Sequence, residues 1–330
     1  MEKANKKGIA GAIGTQKLVA IAALVVLFVF FCIAGANFAQ YSTFVSILDS
    51  SYYIGFMAIG VTFVIITGGI DLSIGTLCIC CSLIGGTLFT KAGLPMALCL
   101  ILTLLIGVLF GLANGLMVSV MGLPAFIATL GTMMITRGLG SIVTGTASVT
   151  FPQGEAAGAW FRSIFKLRAD GLPQAGIPTG FILLLVMAVL MAILLNKTRP
   201  GRYILALGSN KEATRLSGVN VVKWETLAFI ISGFFAALAG ISYAAIYSTL
   251  MPGTGNGFEL DAIAGVVIGG TSLSGGVGSI AGTLIGVFIM SVLKTGLPFV
   301  GLQPHWQLFI TGFVLIIAVF ADVVNRKKQG

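Results

Sequence analysis

Long apolar stretches, separated by short polar interruptions, run the length of this chain. Ten of them, at about 18–36, 44–67, 72–90, 94–120, 124–145, 179–196, 224–248, 259–271, 279–295 and 305–324, are candidates to cross a membrane. A spanning helix needs about 20 apolar residues. The runs are continuous rather than alternating, which favours helices over barrel strands. The expected fold is therefore all-α: a polytopic membrane helical bundle of about ten transmembrane helices, forming a single domain over 1–330. The eighth and ninth stretches are short and separated by Gly-rich sequence, so one or more broken or re-entrant helices are expected. Lys3, Lys6, Lys7 and Lys17 precede the first stretch in the manner of a signal peptide. The apolar run continues to Ala36 without a convincing cleavage site, so a first span is expected.

The polar interruptions carry the candidate chemistry. Residues 68–75 read GGIDLSIG. Gly68 and Gly69 can end a helix, and Asp71 or Ser73 can cap the next one. A carboxylate near the membrane is costly unless bonded or wetted. The segment is thus either a tight capped turn or a broken helix lining a solute path or gate. In the 197–223 loop, the basic turn-rich Thr198-Arg199-Pro200-Gly201-Arg202 precedes Gly208. Asn210 can then cap a short helix from Lys211 to Leu216, closed by Gly218, with Glu212 and Arg215 on one face. This loop is either a topological signal or a small helix, with Ala213 and Ser217, that inserts into a cleft on a partner. Phe258-Glu259-Leu260-Asp261 opens a helix from the other side. Its acids either answer the helix dipole or, with the 146–178 loop, dock a soluble partner. Gly107, Gly111 and Gly115 form a packing stripe. Asn114, Thr129, Thr132 and Arg137 are polar residues within spans, where such groups face a cavity or another helix. GGTSLSGG at 269–276 echoes GGIDLSIG at five of eight positions, which is either duplication or glycine coincidence.

Composition narrows the class. The chain is 57% hydrophobic and 9% charged, with mean hydropathy +1.06, too apolar to cover a soluble core. The net charge of +9 would suit nucleic acid, but the bases cluster at the ends of spans. With the N-terminus cytoplasmic, 13 Lys and Arg fall inside and five outside, the latter Lys91, Arg162, Lys166, Arg168 and Lys294. Both termini are then cytoplasmic, 146–178 is an outer (periplasmic) loop and 197–223 an inner one. Cys32, Cys78, Cys80, Cys81 and Cys99 all lie in apolar runs and read as small hydrophobes. The single histidine, His305, sits between Pro304 and Trp306 as an interfacial residue. No metal site is expected. Leu273-Ser274-Gly275-Gly276 resembles an ATPase signature core, but no phosphate-cradling G-x-x-x-x-G-K-[ST] exists, so no nucleotide site and no enzyme are expected.

Set side by side, these segments resemble the ABC-transporter permeases for monosaccharides, namely the ribose, xylose, arabinose, galactose and autoinducer-2 group. GGIDLSIG is similar to that family's GGxDLSxG, and Asn196-Lys197-Thr198 with Gly201 to its NKTxxG. GSNKEATRLSGVNV and FELDAIAGVVIGGTSLSGGVGSIAGTLIG follow its two longest motifs, and Trp306-Gln307 and Ala318-Val319-Phe320-Ala321-Asp322 its ending. Thr214 stands where alanine is usual, and Ser209 where glycine or asparagine is common. The resemblance implies a bacterial inner-membrane homodimer or close heterodimer, set in membrane lipid, importing sugar. ATP and Mg would sit on cytoplasmic ABC ATPase partners, and a periplasmic sugar-binding protein would deliver cargo. It implies that Gly208, Asn210, Glu212, Ala213, Arg215, Ser217 and Gly218 couple to the ATPase. Gly68, Gly69, Asp71, Ser73, Asn114, Thr129 and Arg137 are the expected gate or path, and Glu259 and Asp261 the docking residues. The competing expectation is an ion-coupled secondary transporter, for which Asp71 is the one clear carboxylate.

Overall fold

The computed structural model describes residues 15–168 and 171–327. Lys3, Lys6, Lys7 and Lys328, counted above as inner charges, lie outside the described residues. Twelve α-helices are described: α1 (Thr15–Ala34), α2 (Tyr41–Ile66), α3 (Ile74–Thr90), α4 (Met96–Ser119), α5 (Ala125–Thr144), α6 (Gly180–Lys197), α7 (Arg199–Ser209), α8 (Lys211–Leu216), α9 (Val221–Tyr247), α10 (Phe258–Ile268), α11 (Ile280–Gly296) and α12 (Pro304–Lys327). Seven segments are long and apolar enough to cross a membrane. The ten expected spans correspond to α1–α6 and α9–α12. At 11 residues α10 is about 16 Å long, half a membrane. It is the broken element that its glycine-rich flanks announce.

α2 is the axis of the bundle: its most apolar 18-residue window is wholly buried. α9, α11, α10 and α3 pack around it. α1, α4, α5, α6 and α12 turn apolar side chains outward, Ile33, Ile101, Met134, Ile182 and Ile316 among them. An apolar exterior suits lipid rather than water. The glycine stripe of α4 packs on α9. A Cβ at Gly107 would meet the Gly233 carbonyl, one at Gly111 the Phe229 carbonyl, and one at Gly115 the Thr226 backbone. The backbones therefore approach as closely as small residues permit. α10 and α11 pair in the same way, Gly265 on Gly286 and Gly269 on Gly282.

The 146–178 loop is folded down onto the bundle rather than free. Val149–Thr150 (β1) pairs antiparallel with Thr249–Leu250 (β2). Phe161 and Phe165 are buried, Lys166 forms an ion pair with Asp49, and the Arg162 guanidinium donates to the Ser248 hydroxyl at 2.5 Å. Burial, then the neighbouring Arg168, holds the Arg162 guanidinium below its ordinary value.

Two expectations change. Arg199–Arg202 is not a turn but the start of α7, with Pro200 at its N-terminal end, where the ring's fixed φ fits and no N–H is missed. Ser73 precedes α3 but does not cap it through its side chain, which donates instead to Asp71 at 2.6 Å. Lys294 lies near the end of α11 and pairs with Asp261 at 2.5 Å.

Candidate functional site

The two glycine-broken elements and the 197–223 loop meet at one end of the bundle. α2 ends at Gly68 (φ +86°), whose N–H reaches the Ile65 carbonyl while that of Gly69 reaches Val64. α10 ends the same way at Gly270 (φ +92°), with Gly270 N–H on Val267 and Thr271 N–H on Val266. Both are left-handed glycine caps. The second break returns to the first, since Gly276 N–H donates to the Ile66 carbonyl at 2.9 Å. Gly208, near the end of α7, closes the node. A Cβ there would strike the Ile66 carbonyl and the Gly276 nitrogen, and one at Gly275 would meet the Gly208 carbonyl. Three chain segments touch backbone to backbone, with room for no side chain.

From this node the chain turns into α8. Asn210 Oδ1 accepts from Ala213 N–H at 2.8 Å, and Gly218 follows with φ +78°. The cap-to-cap helix read from the sequence is thus present. Glu212 and Arg215 pair at 2.7 Å, and that hydrogen bond holds the Arg215 guanidinium above its ordinary value. Within α8 only Thr214 is buried; Glu212, Ala213, Arg215 and Leu216 are exposed, as are Ser217 and Gly218 beyond it, and Leu216 is 78% exposed. The hairpin is fixed to the bundle from behind. Lys211 pairs with Glu225 at 2.8 Å, Tyr203 packs on Trp224, and Asn220 caps α9. It is an exposed knob braced by these contacts at the end of α7.

Deeper in the bundle, the polar residues of the path set converge. Asp71 accepts from Ser73 N–H (3.0 Å), Ser73 Oγ (2.6 Å) and Ser232 Oγ (2.7 Å). Asn114 donates to Ser73 Oγ at 3.0 Å and accepts from Thr132 at 2.5 Å. Thr129 stands in for a strand partner beside the unwound stretch: its hydroxyl contacts both the Ile70 carbonyl and the Leu72 N–H, each at 3.1 Å. Non-helical backbone at membrane depth survives only when it is bonded in this way. Asp71, Ser73, Asn114 and Thr129 are each at most 1% exposed. Arg137 is not part of the cluster. It is exposed on α5, beside the cleft lined by Thr76, Thr136 and Gly255.

Glu259 and Asp261 are buried at the start of α10, turned onto α3 and α11. Lys294, the partner of Asp261, also lies over the rings of Tyr53 and Phe258. Sequence reasoning did not single out Ser232, Glu225 or the Ile66 carbonyl. Nothing local marks them, because each matters through a neighbour far away in the chain. Among the described residues no group of His, Cys, Asp and Glu could hold a metal ion, and the four fully buried cysteines are free thiols.

A multi-pass helical membrane protein, with unwound intramembrane segments tied to an exposed hairpin, has the architecture of a membrane permease. Residues 43–319 match the family described as "Branched-chain amino acid transport system / permease component". The chain belongs to that family. It is 37% identical to the ribose import permease protein of Escherichia coli, over 93% of this chain and 92% of the relative. It is 35% identical to the fructose import permease protein of Bifidobacterium longum, over 96% and 93%. It is 31% identical to the xylose transport system permease protein of Escherichia coli, over 96% and 94%. No solved structure matches the chain significantly.

Proposed function

We propose that this chain is the permease subunit of an ATP-driven importer that moves a monosaccharide or similar small polyol across a bacterial inner membrane. Two such subunits, or one with a close relative, enclose the path. Cytoplasmic ABC ATPases grip α8, a periplasmic sugar-binding protein loads the outer face, and both termini are cytoplasmic. ATP and Mg belong to the ATPases.

The observation that carries this reading is the backbone node at Gly208. Movement of that exposed knob passes directly to the ends of both broken elements, with no flexible side chain between to absorb it. The relatives' names, all sugar permeases, support the cargo class. In this reading Gly208, Asn210, Glu212, Ala213, Arg215, Ser217 and Gly218 couple to the ATPase. Gly68, Gly69, Asp71, Ser73, Asn114 and Thr129 support the gate from behind, and Arg137 faces the path. The test is uptake of labelled ribose, xylose and fructose into proteoliposomes holding the chain, its ATPase and the binding protein. Uptake of at least one sugar should need all three proteins and ATP. Uptake by the permease alone, collapsing with an ionophore, would overturn the proposal.

A further inference from the structure

Two charged side chains near one transmembrane cleft remain without work in the network described so far. Glu259, in the first turn of α10, is 9% exposed, and its Oε2 has no hydrogen-bond partner among the described residues. It lies against Gly75 in the first turn of α3, where any Cβ would run into Glu259 Oε2 and the Gly255 carbonyl. The carboxylate therefore sits where the N-termini of two helices meet, a place that favours negative charge. Arg137 on α5 is exposed, its guanidinium has neither a hydrogen bond nor an ion pair among the described residues, and it lines the same cleft as Thr76 and Gly255, whose carbonyl flanks Glu259 Oε2 at Gly75.

A guanidinium within a span does not face lipid cheaply; the cost is about 3 kcal/mol on insertion scales. The face that carries it must border water or a protein seam. A buried carboxylate oxygen lacking a donor is likewise costly unless something donates to it in another state of the cycle. One class of ligand answers both groups. A polyol offers hydroxyl hydrogens to a carboxylate and hydroxyl oxygens to a guanidinium.

We propose that Arg137 and Glu259 form a contact point for the hydroxyl-rich cargo, with Arg137 donating to its oxygens and Glu259 Oε2 accepting from a hydroxyl. The site rests on the transport reading above. It is closed in this conformation, with α10 seated on Gly75. It opens when the α10 end moves with the 269–279 break that the inner hairpin touches. Contact through one face of the cargo is weak enough to permit release, as conduction requires.

The test uses the complete complex in proteoliposomes, with whichever of labelled ribose, xylose or fructose the wild type transports. Arg137→Gln, Arg137→Lys and Glu259→Gln are compared for uptake and for ATPase stimulation by the sugar-loaded binding protein. Losing one charge-assisted contact should cut uptake per ATP about tenfold in Arg137→Gln and Glu259→Gln. Binding-protein stimulation of the ATPase should persist, and Arg137→Lys should recover part of the uptake. Unchanged uptake per ATP would overturn the inference while leaving the transport reading intact. So would uptake and ATPase falling together, since that marks a structural pair. If Glu259→Gln fails to assemble, the exposed Arg137 variants decide alone. A wild-type complex that moves no sugar strikes the transport reading instead.

Discussion

Asp71 shows what one carboxylate does inside this bundle. It takes hydrogen bonds from Ser73 and Ser232, and through Ser73 it reaches Asn114 and Thr132, so that α4, α5 and α9 all brace the unwound stretch between α2 and α3. Truncation leaves donors buried without an acceptor, at about 1–3 kcal/mol each. Asp71→Ala should therefore lower the thermal midpoint of the detergent-purified protein well below that of Asp71→Asn, which keeps an acceptor in place. A midpoint equal to wild type in Asp71→Ala would show that the network does not brace the break. Gly111 makes a separate claim. A Cβ there would press on the Phe229 carbonyl and the Ile230 Cα at 3.0 Å, so Gly111→Val should overpack the α4–α9 seam by about 1–3 kcal/mol. The same thermal assay reads it.

At the scale of elements, α8 depends on local signals, and those were legible in the sequence. A cap at Asn210, an (i, i+3) pair at Glu212 and Arg215 and a left-handed Gly218 all act within one or two turns. Removing the cap with Asn210→Ala should cost the helix about 1 kcal/mol. The expected result is weaker retention of the ATPase by the purified permease; undiminished retention would place the ATPase grip elsewhere. α7 was not legible, because Pro200-Gly201 reads as a turn wherever the following apolar face is short. Here Ile204 and Leu207 bury that face against the bundle. The echo between the two breaks was legible only approximately. Matching letters pairs Gly68 with Gly269, whereas the backbone equates Gly68 with Gly270, the residue that takes the left-handed conformation. Identity counts glycines; the cap depends on which glycine turns. Glu259 and Asp261 illustrate the limit: two acids at a helix start look alike in sequence, whether the helix begins at a surface or, as here, among buried side chains.

Across the whole molecule, the orientation proposed from the Lys and Arg bias makes a prediction of its own. In a background with the five cysteines replaced, Leu216→Cys should react with a membrane-impermeant maleimide only in inside-out vesicles, and Trp160→Cys only in right-side-out ones. Both positions are well exposed. The reverse pattern would invert the topology. The hairpin of 197–223 meets the apolar bundle, with its central buried α2, at a point where only backbone fits. Motion imposed on α8 must move the ends of α2 and α10.

The measurement that tests this most directly is the number of sugar molecules imported per ATP hydrolysed by complexes carrying Gly208→Ala, the smallest side chain that would push the hairpin off the Ile66 carbonyl. The account predicts a complex that assembles and hydrolyses ATP. Its ATPase no longer responds to sugar-loaded binding protein, and its import per ATP collapses. Wild-type import per ATP in that variant would contradict it.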